Sequence, residues 1–549
     1  MLVLHLVHFK KERGNLMASS GGFKKSLNLL DLTFLGLGSI IGSGWLFAAA
    51  GAATFAGSNA WIAWLIGAVA FILIGLVYAE LGSMMPRSGG FVRYPHYTHG
   101  SLVGYLIGFI SMLAYSSVAG IEVEAVRGYA ATWWTSLGTK AAGPTFAGYV
   151  FEIALLVLFL LLNYWSVNVF GKFNTVVTTF KFLVPLLTVI VLFTHFHASN
   201  LSVGGAKPGG AFGVFQAVSL SGIAFAFLGF RQAVDFGAEA KRPQRDIPLA
   251  IIFSILLGTI MYLLLQFAFL GAVPASDLAK GWANLSFAQA PYADLAKSLG
   301  LLWLMNLIFV DAVISPSGTG NIYLSGTTRV LFSWAKTGLF YSWFRKVDAR
   351  TGIPRGALWL SLVLSIVWIL PAHLSFWQGL VGNVTSATVL TYMIGPVSLA
   401  SLRRTSPNMD RPFRLKAMGF LSPLAFIAAS LIIFWSGWTT NLEIIGITLV
   451  SVVLYFAFVD KEGLREKISS DWKSGCWLVV YFIFMLVVSR LGNYQLPDGA
   501  KPIITSPWDS VIIVIGAIIF YYWGVNSAMP QPEIDEDDEA DMALNAADV

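Results

Sequence analysis

An all-α protein that crosses a membrane many times is the fold class this sequence predicts, and three observations predict it. Its 549 residues are 56% hydrophobic and only 12% charged, whereas soluble domains carry about 25% charged residues. Apolar segments approaching or exceeding the roughly 20 residues that a bilayer requires recur along the chain. The basic residues fall overwhelmingly on one side of those segments.

The apolar segments lie at 30–54, 60–82, 100–126, 149–169, 174–195, 213–235, 247–272 and 299–320, then at 356–371, 377–401, 418–437, 441–459, 475–491 and 508–525. They predict fourteen spans. Residues 1–28 form a polar-to-basic tail, 29–401 hold spans 1–10, 402–460 hold spans 11 and 12, and 461–527 hold spans 13 and 14. Residues 528–549 carry the acidic run Glu533-Ile534-Asp535-Glu536-Asp537-Asp538-Glu539, which reads as a solvated, disordered tail.

With the N-terminus in the cytoplasm, roughly 26 Lys and Arg residues fall in cytoplasmic segments. Only Lys140, Lys207, Lys280, Lys297, Arg490 and Lys501 fall outside. That asymmetry obeys the positive-inside rule and places both termini in the cytoplasm, with a bacterial inner membrane as the expected location. The net charge of +6 therefore reflects orientation in a lipid bilayer rather than a nucleic-acid partner. The single cysteine, Cys476, excludes an internal disulfide and a cysteine metal cluster. It also gives no outer-loop thiol for a disulfide-linked partner subunit, so none is expected. The seven histidines are scattered and no HExxH motif occurs, so neither a metal, a cofactor nor an enzymatic role is expected.

Span 1 contains Gly38-Ser39-Ile40-Ile41-Gly42-Ser43-Gly44 at its middle. Glycine weakens helices and permits other backbone conformations, and irregular backbone at membrane depth is tolerated only inside protein or beside a wet cavity. A close helix–helix seam is the other reading of such small residues. Span 6 carries a second interruption, Ser219-Leu220-Ser221-Gly222-Ile223-Ala224-Phe225-Ala226-Phe227-Leu228-Gly229-Phe230-Arg231-Gln232. Interrupted spans at matching positions of two halves point to a transporter site between inverted repeats. The interval of five spans predicts a 5+5 inverted-repeat transporter fold with spans 1 and 6 broken.

These residues also carry a resemblance. The span 1 heptad, Phe225-Ala226-Phe227-Leu228-Gly229-Phe230, and Glu239-Ala240-Lys241-Arg242-Pro243-Gln244-Arg245-Asp246-Ile247-Pro248 resemble signatures of the amino acid–polyamine–organocation superfamily of permeases. Leu402-Arg403-Arg404 with Arg411-Pro412-Phe413-Arg414 resembles its loop between spans 10 and 11. The resemblance covers roughly residues 25 to 460 and is nearest the fourteen-span bacterial aspartate–proton symporter type. It implies proton-coupled import of an amino acid by alternating access. It also implies that Gly42, Ser43 and Gly44 offer amides to the substrate carboxylate. The carbonyls of Ser39, Ile40 and Ile41, with Phe225, Ala226 and Leu228 of span 6, would face its ammonium group. The exposed start of a half-helix suits a carboxylate on electrostatic grounds as well.

Lys181 lies inside span 5, nine residues beyond Lys172 at the cytoplasmic end. A rise of about 1.5 Å per residue puts it roughly 13 Å deep, beyond comfortable snorkelling, where a charge costs at least about 2.5 kcal/mol. The resemblance implies that its ammonium replaces a bound cation against spans 1 and 8 and handles the proton. Ser315, Ser317 and Thr319, with Asp311 one turn earlier, are the span 8 partners available to it.

Arg231 departs from the resemblance, since relatives carry an acidic or amide residue there. Its planar fork matches a carboxylate, which favours a substrate with an acidic side chain, aspartate or glutamate. Pairing with Asp235 or Glu239 is the alternative. On span 3, residues two apart cannot share a helix face, so only one of Glu122 and Glu124 faces the core. A structural Glu–Arg pair with Arg127 and a second proton acceptor both remain open. So do an amino acid exchanger, a permease for neutral amino acids, and a membrane sensor that binds without transport.

Overall fold

The computed structural model describes residues 23–534, apart from 140–142, 166, 203–208, 286, 288–289, 371–376, 459–463 and 498. Most of the N-terminal tail and the acidic run beyond Ile534 lie outside the described residues.

Asn28 and Asp31 cap one another, each backbone amide donating to the other's side chain at 3.0 Å. This capping box supplies amides that a helix start leaves without partners, and α1 (Leu29–Ile40) begins there. The chain leaves the helix at 41–43 and resumes as α2 (Gly44–Ala56), which a short turn joins to α3 (Ala60–Met84). Then come α4 (Gly90–Ala130), α5 (Phe146–Tyr164) and α6 (Val167–Phe193). The second interrupted span is α7 (Gly210–Leu220) followed by α8 (Ile223–Asp235), bent by 45°. Gly222 between them has φ +97°, a left-handed conformation that glycine adopts without steric penalty.

Beyond it lie α9 (Pro243–Ala272), α10 (Pro291–Ser298), α11 (Leu302–Lys336), α12 (Arg355–Ile369) and α13 (Trp377–Thr405). Four helices close the chain: α14 (Met418–Trp435), α15 (Gly437–Phe458), α16 (Leu464–Leu491) and α17 (Trp508–Ser527). Proline opens α9 and α10 at a first-turn position that needs no amide.

Among the described residues, eleven helices are long and apolar enough to cross a membrane, or twelve with the bent pair taken as one span. Each of the fourteen apolar segments read from the sequence contains a helix. The counts differ because α1 and α12 are short, at 12 and 15 residues, and because α2 and α3 run together as one apolar stretch, Gly44–Met84. α4 packs along α11 and α13, while α9 packs along α3 and α1. Outward-facing Val176, Ile190, Val367, Val453 and Ile519 are more than half exposed. Apolar side chains on that scale belong against lipid, whose interior gains nothing by hiding them.

Candidate functional site

The break between α1 and α2 is enclosed by α4, α6, α8, α9 and α11. A side chain on Gly42 would sit 2.7 Å from the Thr319 hydroxyl and 2.9 Å from Glu122 Oε1, so only glycine fits there without displacement. The Ser43 amide, near the start of α2, donates to Glu122 Oε2 at 3.1 Å. A carboxylate from the protein itself thus occupies the positive end of a half-helix. The Ile40 carbonyl accepts from the Tyr262 hydroxyl at 2.6 Å and from the Gly42 amide at 3.2 Å. Gly44 faces Phe225 and Ala226; a side chain there would meet the Phe225 ring at 3.5 Å, an ordinary contact. Gly229 packs α8 so tightly on Ser39 and Ile40 that a Cβ would lie 2.5 Å from the Ile40 nitrogen.

Lys181 is fully buried on α6. Its ammonium donates to the Gly38 carbonyl and, at 2.7 Å, to the Thr319 hydroxyl. Thr319 in turn donates to the Gly38 carbonyl at 2.9 Å, with the Ile41 carbonyl 3.4 Å away. Three elements meet at this ammonium: the end of α1, α6 and α11. Asp311 accepts from Ser315 at 2.8 Å and from the Trp45 indole at 3.0 Å, which ties α11 to the first turn of α2. Ser317 points elsewhere and donates to Val313 of its own helix at 2.6 Å.

Arg231 lies on α8 with no exposed surface. It donates to Asp235 at 2.8 Å and to the Thr391 hydroxyl at 2.8 Å, between the rings of Phe91 and Tyr115 at 4.4 and 4.2 Å. Its Nε is therefore already engaged by a carboxylate that the protein supplies, and its Nη1 by the Thr391 hydroxyl. The Leu228 carbonyl accepts from the Tyr392 hydroxyl at 2.6 Å.

Of the two span 3 glutamates, Glu122 faces the break. Glu124 lies 3.7 Å from Arg127, whose closer partner is Glu152 at 2.7 Å. The side-chain contacts made by Glu122, Tyr262 and Tyr392 were not read from the sequence. A glutamate in an apolar span is a visible signal, whereas nothing in the local sequence sets Tyr262 or Tyr392 apart from the many other aromatics of the spans. The signature loops are tied into the packing of the helix ends. Glu239 holds Arg329 at 2.6 Å, and Glu80 accepts from Arg403 at 2.8 Å and from the Leu415 amide at 2.7 Å. Among the described residues, no group of three His, Cys, Asp or Glu side chains is placed to hold a metal.

A family model described as amino acid permease matches residues 27–465. The chain belongs to the amino acid permease family. The permease is similar to the aspartate–proton symporter of Bacillus subtilis, at 43% identity over 95% of this chain and 100% of the relative. It is also similar to the glutamate/serine transporter AimA of the same organism, at 39% identity over 92% of this chain and 94% of the relative. The branched-chain amino acid permease BcaP of Bacillus subtilis is 28% identical over 83% of this permease and 98% of its own length.

Proposed function

We propose that this permease imports an acidic amino acid, aspartate or glutamate, together with protons, by alternating access. The intended setting is a bacterial inner membrane, with fourteen spans, a 5+5 inverted repeat and both termini in the cytoplasm. The observation that carries the reading is the Lys181 ammonium seated against the Gly38 carbonyl and Thr319. A lysine there supplies the positive charge that holds α1, α6 and α11 together, and it can give that charge up as a proton. A bound metal cation cannot. The named activities of two similar bacterial transporters support the acidic substrate.

The amides of Gly42, Ser43 and Gly44 would receive the substrate's α-carboxylate. The carbonyls of Ser39, Ile40 and Ile41, with those of Ala226 and Leu228, would receive its ammonium beside Phe225. Glu122 already holds the Ser43 amide. An arriving carboxylate would displace it into a buried space shared with a second negative charge, and a protonated Lys181 beside Thr319 offsets that repulsion, so substrate binding favours proton uptake by the lysine. Substrate binding and proton uptake would then be one event. Arg231 would serve an acidic side chain only by exchanging Asp235 for it.

The test uses the purified carrier in proteoliposomes with labelled aspartate. Accumulation driven by an inward proton gradient without internal substrate is the expected result, with glutamate competing and leucine not. Uptake that requires internal amino acid would make the protein an exchanger instead, and equal competition by leucine would refute the acidic preference.

A further inference from the structure

Helix α4 is broken near its start. Gly100 has φ +77° and ψ −165°, so the stretch Gly90–His99 and the long remainder from Ser101 are separate helices joined at a kink. Such a break releases backbone donors and acceptors that need partners. The partners come from the C-terminal part of the chain. Asp471 on α16 accepts from the Ser101 amide at 2.8 Å and also from the Ser101 hydroxyl, capping the second helix from outside. The Ser101 hydroxyl also meets the Tyr455 hydroxyl at 2.6 Å. On the other side of the kink, the Thr98 carbonyl accepts from the Met529 amide at 2.9 Å and the Tyr97 carbonyl from the Glu533 amide at 3.1 Å. His99 Nε2 meets the Gly524 carbonyl at 3.0 Å. Asp471, Gly524, Met529 and Glu533 all lie beyond residue 465, where the family match ends.

The N-terminal end of the same short helix touches the end of α8. Phe91 covers the Arg231 guanidinium at 4.4 Å. The Gly89 amide donates to the Asp235 carbonyl at 3.0 Å, and Ser88 bridges to Phe236. Gly90–His99 is therefore held between the Arg231–Asp235 pair and the C-terminal helices. α8 is half of a broken span and the element expected to rearrange, so whatever fixes this short helix also biases α8.

We propose that α16, α17 and the stretch to Ile534 form a clamp on Gly90–His99. Asp471, which pins Ser101 just past the kink, is the positioning residue that keeps the short helix from swinging about Gly100 and so restrains opening at the Arg231–Asp235 end of α8. The uptake consequence rests on the transport reading above; the mechanical link does not. A charged acceptor holding two donors is worth at least about a tenfold shift in an opening equilibrium.

The test uses the full-length chain with Cys476→Ser and Ser88→Cys, labelled by a membrane-impermeant maleimide in inside-out vesicles. Asp471→Ala is expected to raise the labelling rate about tenfold, while Asp471→Asn, which keeps an acceptor for the Ser101 amide, restores most of the protection. In uptake assays, Asp471→Ala is expected to change the maximal rate several-fold and leave KM within about twofold. If Asp471→Ala does not fold, Tyr455→Phe, which removes only the second partner of the Ser101 hydroxyl, is expected to raise labelling by a smaller factor. Labelling that neither Asp471→Ala nor Tyr455→Phe changes overturns the clamp. Absence of aspartate uptake by the unmodified chain overturns only the transport reading.

Discussion

The Lys181 ammonium donates to the Thr319 hydroxyl at 2.7 Å, and Thr319 donates onward to the carbonyl of Gly38. One buried charge thus joins a transmembrane lysine, a helix opposite it and the last turn before the first break. Losing the charge loosens all three at once.

Substituting that lysine tests its part in proton coupling. Lys181→Gln and Lys181→Ala are expected to abolish accumulation driven by a pH gradient in reconstituted vesicles. A carrier with either change that still concentrates aspartate in response to the gradient would remove Lys181 from the mechanism.

Two glycines of the same break should behave differently. At Gly42 a methyl group meets Thr319 and Glu122 inside 3.0 Å, whereas at Gly44 the nearest atom is 3.5 Å away. Overpacking of this kind costs about 1–3 kcal/mol. Gly42→Ala should lower uptake at least about fivefold, and Gly44→Ala should keep it within about twofold. Initial rates normalised to carrier in the membrane make the comparison.

Arg231 and Asp235 form a buried pair whose members are expected to be costly to lose singly. Removing one partner from such a pair typically destabilises by about 3–5 kcal/mol, while replacing both with apolar residues can be nearly neutral. Asp235→Leu should lower the melting temperature in detergent, and Arg231→Met with Asp235→Leu should recover part of it. A double variant less stable than the single one would contradict the pairing.

The loop before α12 should respond to acid. The amide and hydroxyl of Thr351 donate to Asp348 at 2.9 and 2.8 Å and hold its carboxyl below the usual carboxylate range, helped by nearby Arg355. Because the folded value is the lower one, the stabilisation is complete above the unfolded value of about 4. It is lost as pH falls through the depressed folded value. Amide hydrogen exchange at Arg350 and Thr351, corrected for intrinsic rate, should rise across that window and be insensitive to pH in Asp348→Asn.

Much of this site was legible because membranes penalise the residues that build it. Gly42, Ser43 and Gly222 stood out as helix-weakening residues in apolar runs, and Lys181 as a charge too deep to reach water. Glu122 was harder. Its spacing from Glu124 showed that one of them faces inward, but identifying which required the position of Ser43. Arg231 invited two readings because the same fork suits a substrate carboxylate or Asp235 four residues on, and sequence spacing cannot rank them. The capping of Ser101 by Asp471 joins residues 370 positions apart, and no local pattern announces a partner that distant.

Lumen pH and labelled aspartate, recorded together in proteoliposomes with no imposed gradient, test the coupling most directly. Adding external aspartate should acidify the lumen as label enters, and Lys181→Gln should abolish the acidification. Aspartate entry without any proton movement in the unmodified carrier would contradict proton-coupled import at this break.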